Sequence, residues 1–443
     1  MNKPVLLLMA PVATLSGYGA RSRDIATSLI KSDKYDVKIW NTRWGNTPMN
    51  ALDSSNSKHK EILSRLMTEP KLNQMPEIFV QITVPNEFQR LGKYNIGITA
   101  GIETTIASAP WIEGCNNMDL VLTSSEHSKK VLQESAWVKH NQQTNQPEGE
   151  IRLQKPIEVL FEGVDLETYF PTQEIHKTID DEFKTIKEDF CFLYVGHWLA
   201  GDFGEDRKNI SGLIRTFLEA FKNKAPKNQP GLILKTSTSD FSPLDREELL
   251  NKINQIIKSV SSDKLPNIYL LHGDLSDEEI NSLYNHPKVK AHITFTKGEG
   301  YGRPLAEASL SQKPIIATNW SGHTDFLKHA VLLPGQLTNV HPSAAWENVI
   351  LQESQWFTVD YGYAGSIMRS VFEDYKQFKD LGKQQAYHIK KNFDFSEMSK
   401  ILYGYLDKYV PEFPKQIELK LPTLKKLEAP SLKKTQLPKL KKV

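Results

Sequence analysis

Short runs of consecutive apolar residues alternate along the chain with stretches whose apolar residues recur every three or four positions. Residues 5–9, 37–40, 78–82, 94–99 and 120–123 are runs of the first kind. Each has strand length, so each predicts a strand buried on both faces. Residues 23–31 place Ile25, Ala26, Leu29 and Ile30 on one side of a helix, and residues 58–67 and 128–134 predict two more helices. Strands alternating with helices imply a parallel sheet, because parallel neighbours need crossover connections. Residues 141–154 are polar and aperiodic and predict a surface excursion; residues 157–160 supply a last strand.

Gly163-Val164-Asp165 and Phe170-Pro171 then predict a crossover, after which the pattern repeats. Residues 190–196, 232–236, 268–272, 291–296 and 315–318 read as strands. Residues 210–222, 245–260, 277–284 and 305–310 read as helices, with Ser276 as an N-cap. From 356 to 409 the pattern is helical, with Phe357, Tyr361, Met368, Val371, Phe372 and Tyr375 as packing residues. The expected architecture is α/β: two Rossmann-like, doubly wound domains facing a cleft, with ligands outside the carboxyl ends of the strands. The expected divisions are residues 1–168, 169–385, closing helices at 386–413 that cross back to the first domain, and a tail at 414–443.

Composition separates the tail from the rest. The chain has 443 residues, 39% of them hydrophobic and 24% charged, which is ordinary for a soluble globular protein. No apolar run is long enough to span a bilayer. The two cysteines, Cys115 and Cys191, lack metal-ligand spacing and suit a reducing, cytoplasmic setting. The apolar start has the length of a secretory signal, but Gly17-Tyr18-Gly19 and the charged residues after it read as a turn and a helix start. Residues 414–443 carry nine lysines against two glutamates, +7, so the rest of a chain of net charge +2 is −5. In the tail Pro422, Pro430 and Pro438 stand eight apart, as do Leu424, Leu432 and Leu440, each leucine followed by two lysines. That repeat forbids a continuous helix and reads as an extended or disordered basic peptide for an acidic partner or nucleic acid.

The chemistry concentrates in Lys297-Gly298-Glu299-Gly300-Tyr301-Gly302-Arg303-Pro304-Leu305-Ala306-Glu307-Ala308. A glycine loop that follows a strand and opens a helix presents free N–H groups and lets a diphosphate approach closely. Glu307, inside that helix, suits vicinal hydroxyls such as those of a ribose. Taken alone, two glutamates at that spacing read first as a glycine turn before a surface helix.

Its continuation into Lys313-Pro314-Ile315-Ile316-Ala317-Thr318 and Ser321-Gly322-His323 resembles the donor-site signature of group-one (family four) retaining glycosyltransferases, which have the GT-B architecture. Val159-Leu160-Phe161-Glu162-Gly163-Val164-Asp165 resembles that family's interdomain crossing, and Asp119-Leu120-Val121-Leu122-Thr123-Ser124-Ser125 its late first-domain strand and serine loop. Val195-Gly196-His197 and Arg207-Lys208-Asn209 resemble the first strand and basic loop of its second domain. The resemblance touches most of residues 1–390. It also extends to glycosyltransferases of tailed bacteriophages, through His197-Trp198, Trp320-Ser321-Gly322-His323 and the tail.

The resemblance implies an acceptor-side first domain, a donor-side second domain and retention of anomeric configuration without a metal. It implies a nucleotide-diphosphate sugar as co-substrate and no other cofactor. Glu307 would hold the ribose, Glu299 the transferred sugar, and Gly300, Tyr301 and Gly302 the phosphates or sugar through their amides. Lys208 and Arg207 would neutralise the leaving diphosphate. The family often has arginine where this chain has His197; His197, Arg303 or Lys235 would take that role. In the first domain Gly17 and Gly19 resemble the glycine loop facing the donor. Glu103 would orient the acceptor hydroxyl or cap a helix, and Arg43 and Trp44 would line the acceptor side. The acceptor classes left open are a glycan, a lipid carrier, a protein or the bases of DNA. A non-catalytic virion or structural protein that kept the fold is the remaining alternative.

Overall fold

The computed structural model describes residues 3–69, 71–141, 144–238 and 241–413; the lysine-rich repeat lies outside the described residues. In the first half β1 (Val5–Ala10), α1 (Gly17–Lys31), β2 (Asp36–Asn41), α2 (Ser57–Leu63), β3 (Ile78–Ile82) and β4 (Tyr94–Thr99) follow one another. Next come α3 (Ala109–Asn116), β5 (Leu120–Thr123), α4 (Glu126–Glu134), a hairpin of β6 (Trp137–His140) and β7 (Pro147–Ile151), and β8 (Ile157–Val159). Six of these strands form one parallel sheet in the order β2-β1-β3-β4-β5-β8. Every residue of β3 and β5 is buried, as strands covered on both faces require.

The second half repeats the plan. α5 (Lys177–Phe183), β9 (Cys191–Val195), α6 (Ile210–Phe221), β10 (Gly231–Lys235), α7 (Pro243–Ser259), β11 (Ile268–Leu271) and α8 (Asp277–Asn285) lead to β12 (Val289–Ile293). α9 (Arg303–Ser309), β13 (Ile315–Thr318) and β14 (Val331–Leu333) complete a second parallel sheet, β11-β10-β9-β12-β13-β14. Its core joins β9, β10, β12 and α6 through Phe192, Leu234, Ile293, Leu213 and Phe217. Each sheet reverses its order beside its first strand, at β1/β3 and at β9/β12. Such switch points open a crevice at the carboxyl ends of the strands.

An antiparallel pair, β15 (Gly335–Asn339) and β16 (Gln355–Val359), precedes α10 (Tyr361–Glu373), α11 (Tyr375–Asn392) and α12 (Phe395–Tyr409). α12 lies against the first half: Tyr403 Oη donates to Ser28 O at 2.7 Å, and Tyr405 Oη to Val159 O at 2.9 Å. The backbone of Val164 pairs with Phe393 and Phe395 at 2.9 Å each, tying the crossover to the start of that helix.

Several sequence expectations are corrected. Gly17-Tyr18-Gly19 is not a loop but the first turn of α1, because Ser16 Oγ caps Gly19 N at 2.9 Å. Residues 141–154 lie at the surface as expected, but Pro147–Ile151 within them is the second strand of the β6–β7 hairpin, exposed and without an apolar alternation to reveal it. Residues 356–359 are strand rather than helix, since a short apolar run fits either. Both cysteines are buried and unpaired. Among the described residues no helix is long and apolar enough to cross a membrane.

Candidate functional site

The turn after β12 delivers Glu299, and the turn before α6 delivers Arg207 and Lys208. Thr296 and Lys297 tie the two together, with Lys297 N donating to Arg207 O at 2.7 Å. Lys208 Nζ lies 2.5 Å from Glu299 Oε1. Arg207 Nη1 donates to Gly298 O at 2.8 Å and lies 3.5 Å from both Glu299 and Glu103. The four residues predicted to act on the reacting groups therefore converge, with Glu103 arriving from the loop after β4. Glu103 caps no helix; the next helix, α3, starts behind Ser108.

Burial alone would raise the Glu299 carboxyl. The Lys208 and Arg207 cations outweigh it and hold the group down to about 2. Burial lowers the Lys208 ammonium against the pull of Glu299. Arg207 is pushed up, because Glu103 and Glu299 more than offset its burial. The backbone N of Glu299 donates to Ser321 Oγ at 2.9 Å, and Gly322 N donates to Glu299 O at 2.9 Å, which fixes the loop.

The glycines of this loop touch the opposite domain. A Cβ on Gly298 would stand 1.9 Å from Glu103 O, and one on Gly300 2.3 Å from Ala100 O. Gly302 has φ +100, the left-handed region that favours glycine, and turns the chain into α9. α9 has only seven residues, so the expected helix-dipole contribution is small. The Tyr301 side chain is not part of the site: it is buried against Phe326 at 4.8 Å between ring centres.

Glu307 and Arg303 form a second cluster one turn on. Arg303 Nε lies 2.8 Å from Glu307 Oε1, and its Nη1 lies 2.6 Å from Asp24 of α1 and 3.8 Å from Glu162 of the crossover. Arg303 is thus committed to three carboxylates and does not stand free for phosphate. Glu307 is buried rather than presented on a helix surface. Burial pushes its carboxyl up to about 7, against the opposing pull of Arg303.

The remaining donor-side expectations separate. His197 is exposed at the end of β9, yet protein atoms crowd its imidazole; that desolvation and the Lys208 and Lys235 cations lower its pKa. Its Nδ1 shares a hydrogen bond with Ser237 Oγ at 3.1 Å. Lys235 Nζ donates to Gly273 O at 2.8 Å over the Phe241 ring, and burial lowers it to about 8. Neither touches Glu299, so the basic pair that meets it is Arg207 and Lys208. In the first domain Gly19 is packed on Thr14, and a Cβ there would meet Thr14 O at 2.1 Å, whereas Gly17 faces open space. Tyr18 stacks on Trp44 with centroids 3.9 Å apart; Arg43 is exposed.

No protein-family model matches the chain, and no curated protein matches it. Solved structures do. Sucrose-phosphate synthase of Thermosynechococcus elongatus superimposes with TM-score 0.60 at 12% identity, covering 92% of this chain and 99% of that one. A glycosyltransferase of Rickettsia africae gives 0.58 at 14% identity, covering 92% and 99%. Anabaena HepE in complex with UDP-glucose gives 0.56 at 13% identity, covering 91% and 100%. The fold is GT-B.

Within the GT-B frame, sequence reasoning missed Asp24 and Glu162, the acids that hold Arg303. Glu162 was legible as a lone carboxylate among Val159, Leu160 and Phe161, an apolar context in which an acid needs a partner. Asp24 carried no such signal. Among the described residues no cluster of three His, Cys, Asp or Glu side chains is arranged to hold a metal ion.

Proposed function

We propose that this protein is a retaining glycosyltransferase that moves a sugar from a nucleoside-diphosphate sugar to a hydroxyl acceptor. The observation that carries the proposal is the meeting of Arg207 and Lys208 with Glu299 at the switch-point edge of the second sheet, opposite Glu103. Two partly buried cations beside a fixed carboxylate suit a reaction in which negative charge grows on a departing diphosphate. Glu299, ionised at every ordinary pH, is suited to accept hydrogen bonds from sugar hydroxyls. Glu307 is suited to the ribose.

In this scheme the acceptor oxygen bonds to the anomeric carbon as the bond from that carbon to the phosphate oxygen breaks. The leaving phosphate takes the acceptor proton, with both events on one face of the sugar. Glu103 positions the acceptor. The glycine loop touches Ala100 and Glu103 across the cleft, so a donor inserted there must first part the domains. HepE binds UDP-glucose on the same fold, which favours a UDP-sugar as the first donor to try.

The test is a screen of nucleotide sugars for slow hydrolysis by the full chain, with Glu307→Ala and Lys208→Ala alongside. One donor hydrolysed by the native protein and spared by both variants is the expected result. Failure of every donor to bind or turn over overturns the proposal, as does a product of inverted anomeric configuration for the retaining step.

A further inference from the structure

A second cavity, of about 730 Å³, opens among α6, α10 and the β15–β16 pair. Its volume lies within the roughly 300–1,000 Å³ typical of small-molecule sites. It is separate from the cleft although the two share a wall. Along the segments that build that wall, Glu205 and Lys297 pair at 3.0 Å and line the cavity, whereas Lys208 and Glu299 pair at 2.5 Å on the cleft side.

The charges around this cavity are unevenly satisfied. Both carboxylates in its lining are already held, Glu205 by Lys297 and Glu219 by Lys222 at 2.6 Å. The two guanidiniums in its lining have no ion-pair partner among the described residues. Arg215 lies over the Phe203 ring at 5.8 Å, and Arg369 donates only to Ser366 Oγ at 3.0 Å. Two forked cations on neighbouring helices thus line one cavity without an ion-pair partner among the described residues. Arginine forks match phosphate and carboxylate oxygens in pairs. The opposite wall offers hydroxyls, Thr338 and Thr358, 2.7 Å apart.

We propose that this cavity is a second ligand site, for a small molecule carrying both a phosphate monoester and hydroxyl groups, the chemistry of a sugar phosphate. Arg215 and Arg369 take the phosphate, and the threonine wall takes the hydroxyls.

The experiment is calorimetric titration of the full chain with glucose 6-phosphate, glucose and inorganic phosphate as probes. Native protein, the Arg215→Ala/Arg369→Ala double variant and Glu307→Ala are compared. Neither arginine is buried or ion-paired among the described residues, so the double variant keeps its fold, which its melting curve checks. Glucose 6-phosphate is expected to bind more tightly than either fragment. Its affinity falls about tenfold or more in the double variant and is unchanged in Glu307→Ala. Absence of glucose 6-phosphate binding overturns the proposal. So does binding insensitive to the arginines, equal binding of plain glucose or plain phosphate, or binding lost only in Glu307→Ala, which places the probe in the cleft. Because the readout is binding away from the cleft, it stands or falls independently of the proposed transferase activity.

Discussion

Glu299, partly buried, and Glu307, buried, are carboxylates eight positions apart whose surroundings drive them in opposite directions. Burial raises both. For Glu299 the Lys208 and Arg207 cations win and hold it at about 2, so its charge is constant over the working pH range. For Glu307 the desolvation wins, because Arg303 is shared with Asp24 and Glu162, and the group sits at about 7. As pH rises through 7 the ionised form of Glu307, the stronger hydrogen-bond acceptor for a ribose, becomes populated. Donor affinity measured by calorimetry is therefore expected to tighten between pH 6 and 8, and Glu307→Gln to flatten that profile. A nucleoside-diphosphate sugar has no phosphate group titrating in that window, so a profile unchanged in the variant would remove Glu307 from the donor site. Lys208→Ala is expected to lower donor turnover by roughly 10²-fold, the scale on which removing a charge-stabilising donor acts. Turnover within a factor of two of native would show that Lys208 does not meet the leaving group.

At the scale of elements, the loop between β12 and α9 is held by backbone geometry as much as by side chains. Gly302→Ala forces a Cβ at φ +100 and 3.0 Å from His323 Cβ. The left-handed conformation alone costs roughly 1–2 kcal/mol, so urea unfolding should show at least that loss. An unchanged midpoint would mean the turn relaxes freely. The strands of both sheets except β14 were legible because each is an apolar run of strand length, and β3, β4, β5 and β13 fall where the pattern puts them; β14, only three residues long, was not predicted. α1 begins six residues before the predicted start because its first turn is polar and glycine-rich, stabilised by the Ser16 cap rather than by periodicity. The β6–β7 pair and β16 escaped detection for opposite reasons: the first buries little, and the second is a short apolar run that fits helix or strand.

Across the whole molecule the two domains are tied at the site itself. Arg303 reaches Asp24 at 2.6 Å, Arg207 reaches Glu103 at 3.5 Å, and Thr105 and Gln355 exchange hydrogen bonds of 2.9 and 3.0 Å. Asp24→Ala removes one partner of a largely buried pair, a change that typically costs about 3 kcal/mol. It is expected to loosen the closed arrangement, seen as a larger radius of gyration in solution scattering without donor. Scattering indistinguishable from native would show that closure rests on the backbone contacts of Gly298 and Gly300 instead.

Apolar periodicity by itself determined the number and order of most strands, the repetition of an α/β plan and hence two parallel sheets, because burial on both faces writes a signal at every position of a strand. Local spacing likewise marked the glycine loop, its two glutamates and the Arg207-Lys208 pair. Only the tertiary structure decided which charges meet. Arg303 looked available for phosphate and is bound to acids 279 and 141 positions earlier in the chain, Asp24 and Glu162. The pairing of a charge depends on what the fold brings within about 4 Å of it, and no local pattern encodes that distance.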